Sequence, residues 1–244
     1  MSDFARRHGE LRSVVTASMT LGLAVGVFAI SFGVGAVAAG ASVWQTCAMS
    51  LLVFTGASQF SAVSVIGAGG SLGLALGGSL LLAARNAVYG LAMADRIDGG
   101  LLRRLLAAQL TIDESTAMAA AQPDRRSQKL AFWVTGVSVF VWWNLGTLVG
   151  ALAGNAIDPL TFGLDAAFPA AFVAMVWPLL REPLARLAAL LGAVVCLATI
   201  PFTPIGVPIL LAATVIVVGW RAPPPPPPPP SPNPPAADDA GSRR

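Results

Sequence analysis

The apolar residues of this chain fall into long uninterrupted runs that are separated by short polar or proline-containing stretches. Seven apolar segments can be delimited, at roughly Val14–Ala38, Trp44–Ala68, Leu72–Ala94, Leu130–Gly154, Gly163–Leu180, Leu184–Ile200 and Ile205–Trp220. A helix needs about 20 apolar residues to cross the bilayer core, and the charge-free stretch between Arg12 and Arg85 is long enough for about three such helices. The pattern therefore predicts an all-α, polytopic transmembrane helical bundle, in which the last two segments are short for full spans.

Composition supports this class and divides the chain. Only 11% of the residues are charged and 55% are hydrophobic, whereas soluble domains average about 25% charged residues. This excludes a soluble enzyme, a secreted disulfide scaffold and a disordered protein. We expect an N-terminal tail at 1–13, a transmembrane domain at 14–220 and a disordered proline-rich tail at 221–244. Within the polar stretch 95–129, the amphipathic residues 101–121 are predicted to be interfacial or re-entrant rather than a full span.

The distribution of Lys and Arg predicts the orientation. Stretch 95–129 holds six of them, 181–186 two and the C-terminal tail three, together eleven of the fifteen. By the positive-inside rule, loop 95–129 and the C-terminal tail are cytoplasmic. Seven full spans would then place the N-terminal Arg6, Arg7 and Arg12 outside, against the rule. One re-entrant segment among the first three would remove the conflict, so the side of the N-terminus stays open.

Glycine spacing and a weak internal repeat bear on packing. Four pairs of glycines are spaced four residues apart, namely Gly22/Gly26, Gly73/Gly77, Gly146/Gly150 and Gly150/Gly154. Such small-xxx-small pairs predict close contacts between helices inside the subunit; the alternative is that they form a face for a partner subunit. The sequence at 34–38 resembles that at 149–153. If this is a true repeat, the two units begin at the first and fourth segments. Because an odd number of crossings separates them, they would be inverted relative to each other, as in many secondary transporters.

Polar residues interrupt the second and third segments. Gly56 breaks the second, with Ser58 and Gln59 directly behind it, and a half-helix starting there would offer N–H donors to an anion. A packing hydrogen bond and a substrate contact are equally good interpretations of Gln59. Arg85 lies in the third segment, where a charge either has a function or reaches back to the interface. Asn86 and Tyr89 are spaced to lie near Arg85 on the same helix.

Four further residues are candidates on weaker grounds. Asn144 lies mid-segment and is expected to bond across helices. Asp165 opens the fifth segment, either as a helix-terminal charge or as a protonatable counter-charge. Asp113 and Glu114, on the amphipathic stretch, are interpreted chiefly as a solvated face and alternatively as a gate or proton acceptor.

Most enzyme and cofactor chemistry is unsupported by the sequence. His8 is the one histidine, and no HExxH or Walker motif is present. Cys47 and Cys196 form no CxxC pair, and the basic residues form no stripe with aromatics that would predict nucleic-acid binding. We expect a protein that is not an enzyme, with no metal and no cofactor.

Five short motifs resemble one known family, the AzlC family. They are Phe54-Thr-Gly-Ala-Ser-Gln-Phe60, Arg85-x-x-x-Tyr89-Gly90, Asp113-Glu114-Ser115, Gly146-Thr147-x-x-Gly150 and Gly163-Leu-Asp165-x-x-x-Pro169-Ala170. The resemblance extends over about residues 14–220. One departure stands out: the family usually has histidine directly after the arginine, where this chain has Asn86.

The resemblance implies a function. It suggests the large subunit of a bacterial inner-membrane exporter of branched-chain amino acids, driven by the proton-motive force and working with a small hydrophobic AzlD-type subunit. Substrate binding would involve Gly56 to Gln59, Arg85, Asn86, Tyr89, Asn144 and Asp165, and proton coupling would involve Asp165, Asp113 or Glu114. The aromatic residues Phe60, Phe168 and the tryptophans would surround the apolar side chain. The alternative is a non-transporting membrane scaffold that uses the glycine faces and the proline-rich tail.

Overall fold

The structure is a computed structural model that describes residues 2–156, 170, 173, 176–177 and 179–217. Within these residues it is helical and contains no strand. We number the α-helices α1 (Ser2–Ala38), α2 (Val43–Leu52), α3 (Gly56–Gly67), α4 (Leu72–Met93), α5 (Leu101–Gln109), α6 (Asp113–Ala120), α7 (Arg125–Ala156), α8 (Pro183–Thr199) and α9 (Val207–Ala212). The predicted all-α membrane bundle is confirmed.

Four helical stretches among the described residues are long and apolar enough to cross a bilayer. They are Leu11–Ala38, Leu72–Arg96, Arg125–Gly154 and Pro183–Phe202. The first, third and fourth predicted segments are thus confirmed as candidate spans. The sixth, predicted to be short for a full span, lies in a stretch of 20 residues that is long enough to cross. Segment Gly163–Leu180 lies largely outside the described residues, and Ile205–Trp220 contains only α9 and a short 3₁₀ turn up to residue 217.

The second predicted segment is not one span but two half-helices, which agrees with the alternative that one of the first three segments is re-entrant. The chain leaves α1 through a turn at Gly40, begins α2 with a Ser42–Gln45 capping box, and breaks at Val53–Thr55. Helix α3 then runs back, so that a Cβ on Gly67 would lie 3.1 Å from Ala39, at the end of α1. Helices α2 and α3 therefore form a re-entrant hairpin that enters and leaves at the same end of the bundle.

The stretch 101–121 forms a second hairpin, from the opposite end. Helix α5 runs inwards to Leu110, which packs against Gly136 of α7, and the Gln109 amide donates to the Leu51 carbonyl of the first hairpin at 2.9 Å. Helix α6 then returns, and Gln128, near the start of α7, donates to the Gln122 carbonyl at 3.0 Å. This confirms the re-entrant alternative, and the tips of the two hairpins meet inside the bundle.

Helices α1 and α7 are parallel neighbours along most of their length. Ser18 and Thr135 share a hydrogen bond of 2.8 Å near one end, and a Cβ on Gly154 would lie 3.0 Å from Val34 near the other. Between these points the glycines of both helices bring the backbones together, which confirms the predicted packing role of the pairs Gly22/Gly26 and Gly146/Gly150.

The parallel pair contradicts the predicted inversion of units that begin at the first and fourth segments. Only α4 crosses fully between α1 and α7, because each hairpin returns to the end at which it entered. The inverted arrangement relates different units: α1 with the hairpin α2–α3, and α4 with the hairpin α5–α6. In both, a long helix precedes a hairpin that starts at that helix's own C-terminal end.

One end of the bundle, which we call the basic end, carries the start of α1, the end of α4 and the start of α7. Arg96 donates to Gln128 at 2.8 Å, and Lys129 pairs with Asp98, holding the pKa of that exposed carboxyl below its usual value. Asp124 caps α7, and hydrogen bonds from Ser127 lower the pKa of its carboxyl. The N-terminus and stretch 95–129 thus share one end, as one re-entrant segment among the first three would require.

Close contact between α1 and α7 predicts a specific stability defect. A Cβ on Gly150 would collide with the Ile30 carbonyl oxygen, so Gly150→Ala should lower the free energy of unfolding by about 1–3 kcal/mol. The matched control is Gly90→Ala in α4, since a Cβ there meets nothing within 4 Å. Thermal unfolding in detergent measures both, and equal midpoints for the two variants would contradict the described packing.

Candidate functional site

A cavity of about 350 Å³ lies halfway along the bundle, between the two hairpins and helices α1, α4 and α7. Val25 of α1, Arg85 of α4 and Val139 of α7 line it, and each is near the midpoint of its candidate span. The site is therefore at the depth where transporters with broken helices hold their substrates.

The walls of the cavity are mostly apolar. Large side chains come from helices α1 and α7 and from the junctions inside the two hairpins; they are Val25, Phe28, Phe54, Ile112, Val139 and Trp143. The Trp143 ring stacks on Phe32, with centroids 6.2 Å apart, and meets the edges of Phe28 and Phe60 at 6.1 Å. These contacts hold the indole rigidly at the cavity wall.

Gln59 joins Trp143 to the break of the first hairpin. Its amide nitrogen donates to the carbonyls of Met49 at 3.2 Å and Val53 at 2.7 Å, and its amide oxygen accepts from the Trp143 indole N–H at 2.9 Å. Gln59 is completely buried. Of its two interpretations, the structure shows the packing hydrogen bond, and the side chain lies behind the cavity wall.

The start of α3 presents free donors to the cavity. The first N–H groups of a helix have no acceptor within it, and Thr55 at the N-cap position makes no side-chain cap. The N–H groups of Gly56 and Ala57, both at the cavity wall, have no acceptor among the residues that the structure describes. The helix dipole adds partial positive charge at the same point.

Arg85 of α4 forms an ion pair with Asp113 at the start of α6, and both side chains line the cavity. Its Nη2 atom lies 2.8 Å from Oδ2 of Asp113, and both side chains are about two-thirds buried. Arg85 therefore does not reach back to the interface. The solvated-face interpretation of Asp113 and Glu114 is likewise wrong, because both line the cavity at the start of α6.

Glu114 has a different environment from Asp113. It makes no salt bridge with any described residue, although it lines the same cavity. Asn86 lies beside Arg85 at the cavity wall, half-buried, and Tyr89 is on the next turn of α4, near enough to Asp113 to interact electrostatically. The cavity thus combines one cation, two carboxylates and one neutral amide.

The structure brings together five of the predicted site residues, namely Gly56, Arg85, Asn86, Asp113 and Glu114. Ser58 instead lies in the α3–α4 contact, where its carbonyl accepts from Ser79 at 2.9 Å. The cross-helix bond predicted for Asn144 is wrong, because its amide donates to Phe140 of its own helix at 2.8 Å. Asp165 and Phe168 lie outside the described residues.

Several cavity residues were not predicted. Phe28, Ile112 and Val139 give no signal in a sequence where every segment is apolar, and Phe54 is marked only by its place in the first family motif. Trp143 was expected to contribute to an apolar pocket and does so, whereas Phe60 packs behind it. Within the described ranges, no group of three His, Cys, Asp or Glu residues is placed to hold a metal ion.

Loss of the Trp143 indole N–H should destabilise the hairpin break. Trp143→Phe leaves the buried Gln59 oxygen without its donor, at a cost of about 1–3 kcal/mol in the free energy of unfolding. Trp142→Phe is the matched control, since that indole is partly exposed and donates to no residue that the structure describes. Thermal unfolding compares the two; a milder effect at Trp143 would contradict the network.

Comparison with known proteins agrees with the resemblance read from the motifs. The family model described as AzlC protein matches residues 20–157, which include α2 to α6 and both hairpins. The match ends before the fifth motif, at 163–170. No solved structure matches the chain.

Three relatives share about a third of the aligned residues. An "Uncharacterized membrane protein" of Helicobacter pylori is 30% identical over 155 residues, 62% of this chain and 68% of the relative. The "Inner membrane protein YgaZ" of Escherichia coli is 31% identical over 135 residues, 53% of this chain and 55% of the relative. The "Branched-chain amino acid transport protein AzlC" of Bacillus subtilis is 30% identical over 159 residues, 63% of this chain and 58% of the relative.

Proposed function

Because the chain belongs to the AzlC family, we propose that it is the large subunit of a secondary transporter that exports branched-chain amino acids in exchange for protons. A small hydrophobic AzlD-type subunit would complete it. The observation that carries the proposal is the mid-depth cavity between two re-entrant hairpins. The name of the Bacillus subtilis relative supports the substrate class.

The cavity offers a complementary group for each part of a branched-chain amino acid. The free N–H groups of Gly56 and Ala57 suit the carboxylate, as helix N-termini do in other transporters. The carboxylates at the start of α6 suit the ammonium group. The aromatic and aliphatic walls suit a side chain such as that of leucine, and burial of such a side chain contributes about 1.5–3 kcal/mol.

Arg85 has a supporting role in this account. Its charge is paired with Asp113, so Glu114 is the cavity carboxyl that has no cationic partner among the described residues. A zwitterion can then be held without leaving a buried charge unpaired, which would cost several kcal/mol. Candidates for the proton-carrying group are Asp113, Glu114 and Asp165.

The basic end supports an orientation in the bacterial inner membrane. It carries the start of α1 and the polar stretch 95–129, where six of the fifteen basic residues lie. By the positive-inside rule this end faces the cytoplasm, together with the N-terminus and the proline-rich tail. The cavity would load from that side in the export direction.

The alternative of a non-transporting scaffold has less support. The glycine faces of α1 and α7, which a scaffold would offer to a partner, pack against each other. A scaffold also has no need of a charged cavity at mid-depth, where each charge costs about 2.5–3.5 kcal/mol on insertion scales.

Efflux from cells tests the proposal. Cells preloaded with radiolabelled valine or leucine should lose label faster when they express this chain with an AzlD-type subunit than with the subunit alone, and a protonophore should abolish the difference. Arg85→Gln should reduce the accelerated efflux by about tenfold or more, because it leaves Asp113 buried and unpaired.

The matched control for Arg85 is Arg104→Gln on the exposed side of α5, which should transport normally. Membrane insertion of both variants is checked by fractionation. Unaccelerated efflux by well-inserted wild-type protein would contradict the transport proposal, and full efflux by the Arg85 variant would contradict the site assignment.

A further inference from the structure

The charges in the cavity do not balance. Arg85 is the cation among the side chains that line it, and Asp113 and Glu114 are the two carboxylates. Arg85 is paired with Asp113 at 2.8 Å and makes no ion pair with Glu114. Glu114 is left as a carboxylate without an ionic partner among the described residues.

An ionised carboxylate in this position needs a neutralising partner. The cavity walls are largely apolar and lie at mid-depth, where an unpaired charge costs several kcal/mol. Two species that reach a transport cavity can neutralise it: a proton, or the ammonium group of an amino acid. Both occupy the same oxygens, so they exclude each other.

We propose that Glu114 is the shared site of exchange, binding either a proton or the ammonium group of the amino acid and never both. The inference rests on the proposed function and assigns its coupling to one residue. Asp113 is then a positioning residue that keeps Arg85 away from Glu114.

Few other groups around Glu114 can titrate. Its own helix contributes Asp113, and α4 contributes Arg85 and Tyr89. The cavity-lining residues of α1, α3 and α7 carry no ionisable side chain; they are Ala24, Val25, Phe28, Gly56, Ala57, Val139 and Trp143. Glu114 is thus the one unpaired acid in this part of the described structure.

The exchange balances without any further reactant. When the amino acid binds, the protonated Glu114 carboxyl releases its proton to water, and the resulting carboxylate pairs with the ammonium group. When the amino acid leaves on the other side, the carboxylate takes up a proton from that side. Each cycle moves one amino acid out and one proton in.

Calorimetry of leucine binding tests the assignment on the full chain, purified together with its AzlD-type subunit in lipid nanodiscs. Titrations in buffers of different ionisation enthalpy, from about pH 5 to pH 9, give the number of protons released. For the wild type we expect release to approach one proton per leucine at the acidic end. In that range the dissociation constant for leucine should rise about tenfold for each unit by which the pH is lowered.

A ligand without an amino group provides an internal control. 4-Methylpentanoate, the leucine skeleton lacking nitrogen, should release no proton and should bind more tightly as the pH falls towards about 6, while its own carboxylate stays ionised. Release of the same proton by this ligand would overturn the proposal without any mutation.

Two variants complete the test. Glu114→Gln should bind leucine more weakly, with no proton release and no pH dependence, whereas Glu114→Asp should keep the release. Asp98→Asn, at the exposed pair with Lys129, should behave as the wild type. Leucine binding by the wild type that is independent of pH would overturn the shared site alone. No binding of leucine, valine or isoleucine by the wild type would overturn the proposed function and the shared site with it.

Discussion

The structure depends on one constraint: inside a bilayer every backbone N–H and C=O group needs a partner within the protein. Two helix breaks at mid-depth would leave such groups exposed, and polar side chains of the hairpins satisfy several of them. The Gln59 amide donates hydrogen bonds to two backbone carbonyls at the end of α2, and the Gln109 amide of the opposite hairpin donates to a third. Ser115 has the corresponding role in the second hairpin, where it bonds to the backbone of Leu110 and Ile112.

The groups that remain free lie where a ligand can reach them. In each hairpin, side-chain donors bond to carbonyl groups at the C-terminal end of the first half-helix, whereas the N-terminal end of the second half-helix lies at the cavity. The start of α3 brings N–H donors, and the start of α6 brings carboxylates. The close contact of α1 with α7 holds the aromatic wall against these half-helices. Packing and polar satisfaction thus determine together which groups of the cavity are available for binding.

Sequence reasoning predicted the helices and the residue types of the site better than the path of the chain. Hydropathy identifies 44–68 as apolar but cannot distinguish one crossing from two half-helices that double back. The break at Gly56 and the charge at Arg85 were visible because each violates the apolar pattern. The ion-pair partner of Arg85 was not visible in the sequence, because Asp113 belongs to a stretch whose polarity resembles that of a solvated surface. Asn144 was mispredicted because a helix can satisfy an amide with its own carbonyl, as Phe140 does here.

The meeting of the two hairpin tips is the central claim, and a thiol cross-link tests it most directly. In a background with Cys47→Ala and Cys196→Ala, the pair Leu51→Cys with Gln109→Cys should be joined in high yield by a short bifunctional reagent. Leu51→Cys with Leu101→Cys, at the far end of α5, should not be joined. Failure of the first pair, or equal yields for both, would contradict the inverted hairpins and the cavity between them.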